Sequence, residues 1–184
     1  FIAMVKEYVE NGGTVITCGL ADYQDGAADP YTSSTQINNL LKAIGAKTTI
    51  SSDEVLDDVT NGGQKFRVYM TNVNKESPYL QGVVDGQKYS FYSGCTVTPG
   101  ENATWLVKGY DTTYSINSKM TDGKYESNVP ASDGKALYDE SKAVKKQGDV
   151  CALAQEKVGK GNVFVGGTVF MSDFEVKASM DSYA

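Results

Sequence analysis

The stretch that most constrains this chain is Gly12–Gly19, GGTVITCG. A short β-branched run closed by glycines, with no polar alternation, is the pattern of a strand covered on both faces, as in a parallel sheet. Upstream, Ile2, Val5 and Val9 recur at helical spacing with Met4 and Tyr8 beside them. Asn11-Gly12-Gly13 supplies a left-handed stop, so residues 1–11 read as a helix that feeds the strand. Downstream, SSTQINNLLKAIGA has candidate caps at Ser33 to Thr35, a stripe of Ile37, Leu40, Leu41 and Ile44, and Gly45 as its stop. Helix, strand, loop, helix and then KTTIS make an α/β beginning.

The middle changes character. KFRVYMTN, KYSFYSG, ATWLVKG and TTYSIN are rich in Val, Thr, Tyr and Phe and punctuated by Gly, Asn, Asp or Pro, so they read as further strands. Residues 118–148 carry Ser, Asp, Lys and Gly with little periodicity and read as a long exposed loop with at most one weak helical turn. DVCALAQEKVGKGNVFVGGTVFMSDF then predicts two apolar strands around Gly159-Lys160-Gly161, a C-terminal hairpin. The expected fold class is α/β: a mixed, mainly parallel central sheet with flanking helices.

At 184 residues and 40% hydrophobic content, the chain suits one domain spanning 1–184 with a real core. Its formal charge of −6, with Arg67 as the single arginine, offers no basic patch and few guanidinium forks, which argues against nucleic acid as a partner. No window approaches the apolar length that spans a bilayer, and no basic-then-apolar leader pattern is present. The chain opens inside a helical pattern without Met and is expected to be a piece of a larger polypeptide. Cys18, Cys95 and Cys151 are widely spaced in apolar surroundings, which favours buried thiols over a zinc site, although one pair could be bridged.

Ligands of open α/β sheets sit beyond the strand ends, so the loop after Cys18 is the first place to look for a site. ADYQDGAADPYTSS places Asp22, Asp25 and Asp29 there, a weak calcium set whose spacing is not that of an EF-hand and whose Asp-Gly and Asp-Pro pairs are ordinary turn dipeptides. Cys18, Gly19, Asp22, Tyr23, Asp25, Tyr92, Thr168, Ser172 and Asp173 form the candidate ligand-binding set at the strand ends. Tyr23, Tyr31, Tyr79, Tyr92, Tyr110 and Tyr114 could meet a glycan or protein surface, or simply pack on half-buried strands. DEVLDD, with Asp53, Glu54, Asp57 and Asp58, reads as surface charge, because nothing in the pattern sets two carboxyls opposite each other. The Gly-rich segments lack phosphate-loop spacing and read as turns.

VKEYVENGGTVITCG, INNLLKAIGA, SPYLQGV and ALAQEKVGKGNVFVGGTVFMSD together resemble the class I glutamine amidotransferase-like α/β domain in its non-catalytic branches. Those branches include domains of unknown function in multidomain bacterial surface and secreted proteins and the trimerisation-type domain of some β-galactosidases. The resemblance covers about two thirds of the chain and implies a flavodoxin-like layout. In catalytic members a Gly-x-Cys-x-Gly turn carries the nucleophile. Here ITCGLA lacks the glycine before Cys18, and the one behind it comes a residue early. The chain also contains no histidine, so a Cys-His-acid triad cannot form from it.

The expectation is therefore a non-enzymatic accessory recognition or assembly module of a larger bacterial extracellular or cell-surface protein, with no cofactor. Its partners would be other domains of the same polypeptide, cell-surface components, or a glycan or small ligand. The alternatives are a cysteine-dependent hydrolase completed by flanking residues, and a purely structural spacer.

Overall fold

The structure, a computed structural model, describes residues 1–22, 29–117, 120–121, 124–125 and 136–181. Helix α1 (Ile2–Glu10) turns at Asn11 into strand β1 (Thr14–Cys18), and α2 (Ser33–Ile44) ends at Gly45, as their periodicities predict. Short strands follow: β2 (Thr49–Ile50), β3 (Asp53–Asp57), β4 (Arg67–Met70), β5 (Asn72–Val73), β6 (Tyr89–Tyr92) and β7 (Val97–Thr98). After them come β8 (Ala103–Lys108), β9 (Thr113–Asn117), β10 (Met120–Thr121), β11 (Lys124–Tyr125), β12 (Ala143–Lys145), β13 (Cys151–Val158), β14 (Gly161–Gly166) and helix α3 (Asp173–Asp181).

The largest sheet has the order β1-β14-β13-β8-β5. Only β1 and β14 run parallel there, in register from Thr14 opposite Asn162 to Cys18 opposite Gly166. The β14-β13, β13-β8 and β8-β5 pairs are antiparallel, as are the smaller sheets β12-β9-β3, β2-β7, β4-β6 and β10-β11. The expected mainly parallel, flavodoxin-like sheet is thus replaced by a strand-rich fold of several small, mostly antiparallel sheets. The physical reason is connection length: parallel neighbours need a crossover of a dozen or more residues, whereas the turn at Gly159-Lys160 allows only an antiparallel return. TVITC signalled a strand correctly, but β1 is not covered on both faces as expected: it lies at the end of its sheet, with Thr14 and Ile16 exposed and Thr17 alone buried, because an apolar run does not report a strand's place in the sheet.

Where it is described, the segment expected as a long exposed loop at 118–148 is mostly exposed and includes the short strand β12. Ala143 and Lys145 pair with Ile116 and Ser115 of β9, and the backbone N–H groups of Leu137 and Tyr138 donate to Asp58 Oδ2, both at 2.9 Å. The rest of that loop lies largely outside the described residues.

Two apolar clusters fill the interior. One joins Val9 of α1, Leu41 and Ile44 of α2, and Val163 and Val165 of β14. The other joins Val55, Val68, Met70, Phe91, Leu106 and Leu153 from the antiparallel strands. A Leu or Ile buried as fully as Leu41 or Ile44 contributes roughly 1.5–3 kcal/mol, so α2 is held by this face far more than by its intrinsic propensity.

The segment between β6 and β7 ties these parts together. Ser93 N–H donates to Phe66 O (2.9 Å) and Ser93 O accepts from Ala21 N (2.9 Å). Gly94 O accepts from Val55 N (2.9 Å), Cys95 N–H donates to Gly167 O (2.8 Å), and Thr96 O accepts from Ser51 N (2.9 Å). Ser93 adopts a left-handed backbone (φ 45°) although it is fully buried, a conformation that a non-glycine residue holds only when its surroundings enforce it. Gly167 crosses this segment so closely that a Cβ on it would lie 1.9 Å from Cys95 O. Because backbone blocks the added atom, Gly167→Ala is expected to cost at least about 3 kcal/mol, the top of the range for an overpacked core. Urea unfolding followed by circular dichroism checks this, and a loss below about 1 kcal/mol would mean that the crossing relaxes freely.

Candidate functional site at the end of strand β1

Cys18 ends β1 opposite Gly166, and Gly19 N–H extends the ladder by donating to Gly166 O at 2.8 Å. The thiol is half-buried, and burial pushes its pKa up from the ordinary value. A nucleophilic cysteine needs the opposite shift. The crevice expected beyond the strand is filled: a Cβ on Gly19 would stand 2.6 Å from Ile50 Cδ1 and 3.2 Å from Cys95 Sγ. Cys95 and Cys151 are buried, and none of the three cysteines forms a disulfide. Burial pushes the Cys151 thiol up to about 11.

Asp22 is 7% exposed, and its carboxylate is turned onto the start of α2. Oδ1 accepts from Ser34 N–H at 2.9 Å and Oδ2 from Ser34 Oγ at 2.5 Å, so Asp22 caps the helix from twelve residues away. Asp29 Oδ1 accepts from Thr32 Oγ1 (3.2 Å) and Thr35 Oγ1 (3.1 Å) beside the same helix. Tyr23 and Asp25 lie outside the described residues. Among the described residues no cluster of three His, Cys, Asp or Glu could hold a metal ion.

Thr168, from the loop after β14, is buried, and its hydroxyl donates to Tyr92 O at 3.3 Å. Ser172 Oγ accepts from Glu175 N–H at 3.2 Å and caps α3, while Asp173 opens that helix facing solvent. The structure therefore brings Cys18, Gly19 and Gly166 together and puts Thr168 two residues further on, but it assigns Asp22, Thr168 and Ser172 to hydrogen bonds that hold neighbouring elements.

Tyr92 takes part in an arrangement that sequence reasoning missed. The chain's single guanidinium, Arg67 on β4, is 8% exposed and lies over the rings of Tyr92 (4.2 Å to the centroid) and Phe174 (4.9 Å). Glu175 of α3 stands 3.8 Å from Arg67 and accepts a short hydrogen bond from the Ser90 hydroxyl. A stacked, paired arginine fastens α3 to the β4-β6 ribbon. The available signal was a lone Arg in a strand pattern, which conflicts with an apolar interior unless a carboxylate meets it.

DEVLDD is not surface charge. Asp53, Glu54 and Asp57 are at most 2% exposed. Asp57 Oδ1 accepts from the N–H groups of Val59 (2.8 Å) and Thr60 (2.6 Å), and Oδ2 from the hydroxyls of Thr112 (2.8 Å) and Thr113 (2.7 Å). Asp58 lies 3.5 Å from Lys65 Nζ, with both side chains buried. Asp53 accepts from Thr96 N–H (2.8 Å), Thr96 Oγ1 (2.7 Å) and Ser115 Oγ (2.6 Å), yet burial outweighs these bonds and raises its pKa. The tyrosines divide: Tyr31 is exposed, Tyr79 donates to Asn162 Oδ1 at 2.9 Å, Tyr110 to Tyr69 O, and the fully buried Tyr114 to Asp58 Oδ2 at 3.1 Å.

No protein-family model and no curated protein matches the chain. Among solved structures it is similar to the "mmIFT52 N-terminal domain", with a TM-score of 0.60 and 15% identity. The match covers 98% of this chain but only 65% of that one, under two thirds of its length. At this identity the likeness shows the fold alone. With the antiparallel sheets described above, it overturns the expected amidotransferase-like α/β description, and it lends no support to a bacterial or secreted setting.

Two outcomes follow from this geometry. In the folded protein at about pH 7, alkylation of Cys18 should be several-fold slower than that of a free thiol, with Cys95 and Cys151 protected until unfolding. Mass spectrometry of timed samples reads this, and a Cys18 faster than a free thiol would show an activated nucleophile. Asp53 should leave a pH signature. Its native pKa lies above the unfolded value near 3.8, so its contribution is most favourable below that pH and declines as pH rises through the native pKa. The stability difference between wild type and Asp53→Asn, from urea midpoints between about pH 3 and about pH 7, should fall with pH and then level off. A difference that rises with pH would contradict the burial argument.

Proposed function

We propose that this chain is a non-enzymatic assembly module, which receives an extended strand from a partner protein domain at the open edge of β1. The observation that carries this reading is the edge itself. Among the described residues β1 pairs only with β14, and TVITC has no charge, proline or bulge to guard its outer side. Ile16 at its centre is 47% exposed. Unpaired backbone N–H and C=O groups select an extended backbone as the occupant, the principle of strand addition.

The neighbouring surface suits a protein partner. Ile2, Met4 and Tyr8 are exposed on α1, with Phe1 exposed just before it, and a hollow of about 440 Å³ lies between Met4, Glu7, Tyr8, Asn11 and Gly13, where α1 leads into β1. Contiguous apolar exposure of this kind marks interaction surfaces in soluble proteins. The reading is further supported by Cys18, whose thiol is suppressed by burial, and by the engagement of Asp22, Thr168 and Ser172 in structural hydrogen bonds.

Without its strand partner the isolated chain should self-associate through β1 as its concentration rises from micromolar to millimolar. Ile16→Lys, which places a guarding charge on the edge, should hold it monomeric while leaving the unfolding midpoint nearly unchanged. Light scattering coupled to size-exclusion chromatography reads the first, and thermal unfolding the second. A wild-type chain that stays monomeric throughout, with its β1 amides already protected from hydrogen exchange, would overturn the proposal. So would amide or ester hydrolysis abolished by Cys18→Ala.

A further inference from the structure

On the far side of β14 from β1, strands β8 and β13 border a cavity of about 190 Å³ that none of the candidate residues above touches except Cys151. Its apolar wall includes Val97, Trp105 and the buried Cys151, and its polar lining includes Lys108, Lys145 and Asp149. Lys108 Nζ sits 4.6 Å from the centre of the Trp105 ring, a cation–π contact that holds the ammonium over the wall. Among the described residues neither Lys108 nor Lys145 forms an ion pair. Both lie close enough to Cys151 to favour its thiolate, although burial dominates and the thiol stays raised.

These features select a ligand by size and charge. The cavity has room for about six waters, below the usual range for drug-sized ligands, which favours a small ligand over a nucleotide or an oligosaccharide. Two ammonium groups against one carboxylate leave an excess of one positive charge, suited to a monoanion and not to a dianion. Apolar walls on Val97 and Trp105 require an organic body beside that charge. We infer that this cavity is a binding site for a small organic monocarboxylate, with its carboxylate between Lys108 and Lys145 and its apolar part against Trp105 and Val97.

The chain contains a single tryptophan, so its fluorescence reports on this wall alone. The probes are sodium benzoate, its neutral analogue benzamide, and inorganic phosphate, titrated into the full chain at constant ionic strength. Benzoate should change Trp105 emission saturably, and benzamide should not. Lys145→Gln should weaken benzoate by about tenfold, the loss of one charge-assisted contact, and Lys145→Arg should restore most of the affinity. Unfolding midpoints of both variants verify that the fold persists. A linear response to benzoate, an equal response to benzamide, tighter binding of phosphate than of benzoate, or an affinity unmoved by Lys145→Gln would each overturn the assignment.

Discussion

The structure depends on one crossing, where the backbone of Ser93–Thr96 passes against Gly167. Within four residues this segment bonds to the loop after β1, the residue after β2, β3 itself, the residue that precedes β4, and the loop after β14. A small, many-sheeted protein cannot stack its sheets into one continuous core, so its separate ribbons must be joined by backbone bonds where they meet. Buried strand ends leave N–H and C=O groups that water cannot reach, and this segment supplies their partners. The left-handed backbone at Ser93 and the close approach at Gly167 are conditions of that joint.

Carboxylates do the same work elsewhere. Asp22 caps α2, Asp53 and Asp57 anchor β3 to its neighbours, and Glu156 accepts the N–H groups of Lys47 and Thr48 at 2.7 to 3.0 Å. Each is at most 7% exposed. Among the described basic residues only Lys65 and Arg67 are buried, and these carboxylates are satisfied by backbone amides and hydroxyls instead of ion pairs. The exceptions, Asp58 with Lys65 and Glu175 with Arg67, involve basic groups that are themselves buried.

This use of polar groups bears directly on function. At the end of β1, where an open parallel sheet would hold a ligand, Gly19 is closed against Ile50 and Cys95, and Asp22, Thr168 and Ser172 are committed to helix caps and loop bonds. Among the described residues, the open features include the outer side of β1 with the exposed face of α1, and a small cationic cavity two strands away. The proposed assembly role rests on the first of these and the proposed carboxylate site on the second, while the fold likeness carries no activity.

Local pattern alone determined much of this protein. The stripe Ile37, Leu40, Leu41, Ile44 with Gly45, the run TVITC, and the apolar strands around Gly159–Gly161 all form the elements their periodicity predicts, because side-chain spacing and turn residues act over a few positions. The absence of histidine likewise excluded a Cys-His triad without any coordinates. Tertiary structure decided the rest. Strand direction and place in a sheet depend on which distant segments meet, so a run that reads as a covered parallel strand could not disclose that, among the described residues, only β14 runs beside it and its other side is exposed. The acidity of DEVLDD suggested solvent, yet hydroxyls and amides from Thr96, Thr113 and Ser115, far along the chain, make its burial tolerable. Whether a charge lies inside or outside is set by the partners that reach it, and those partners come from folding, not from neighbouring positions in the sequence.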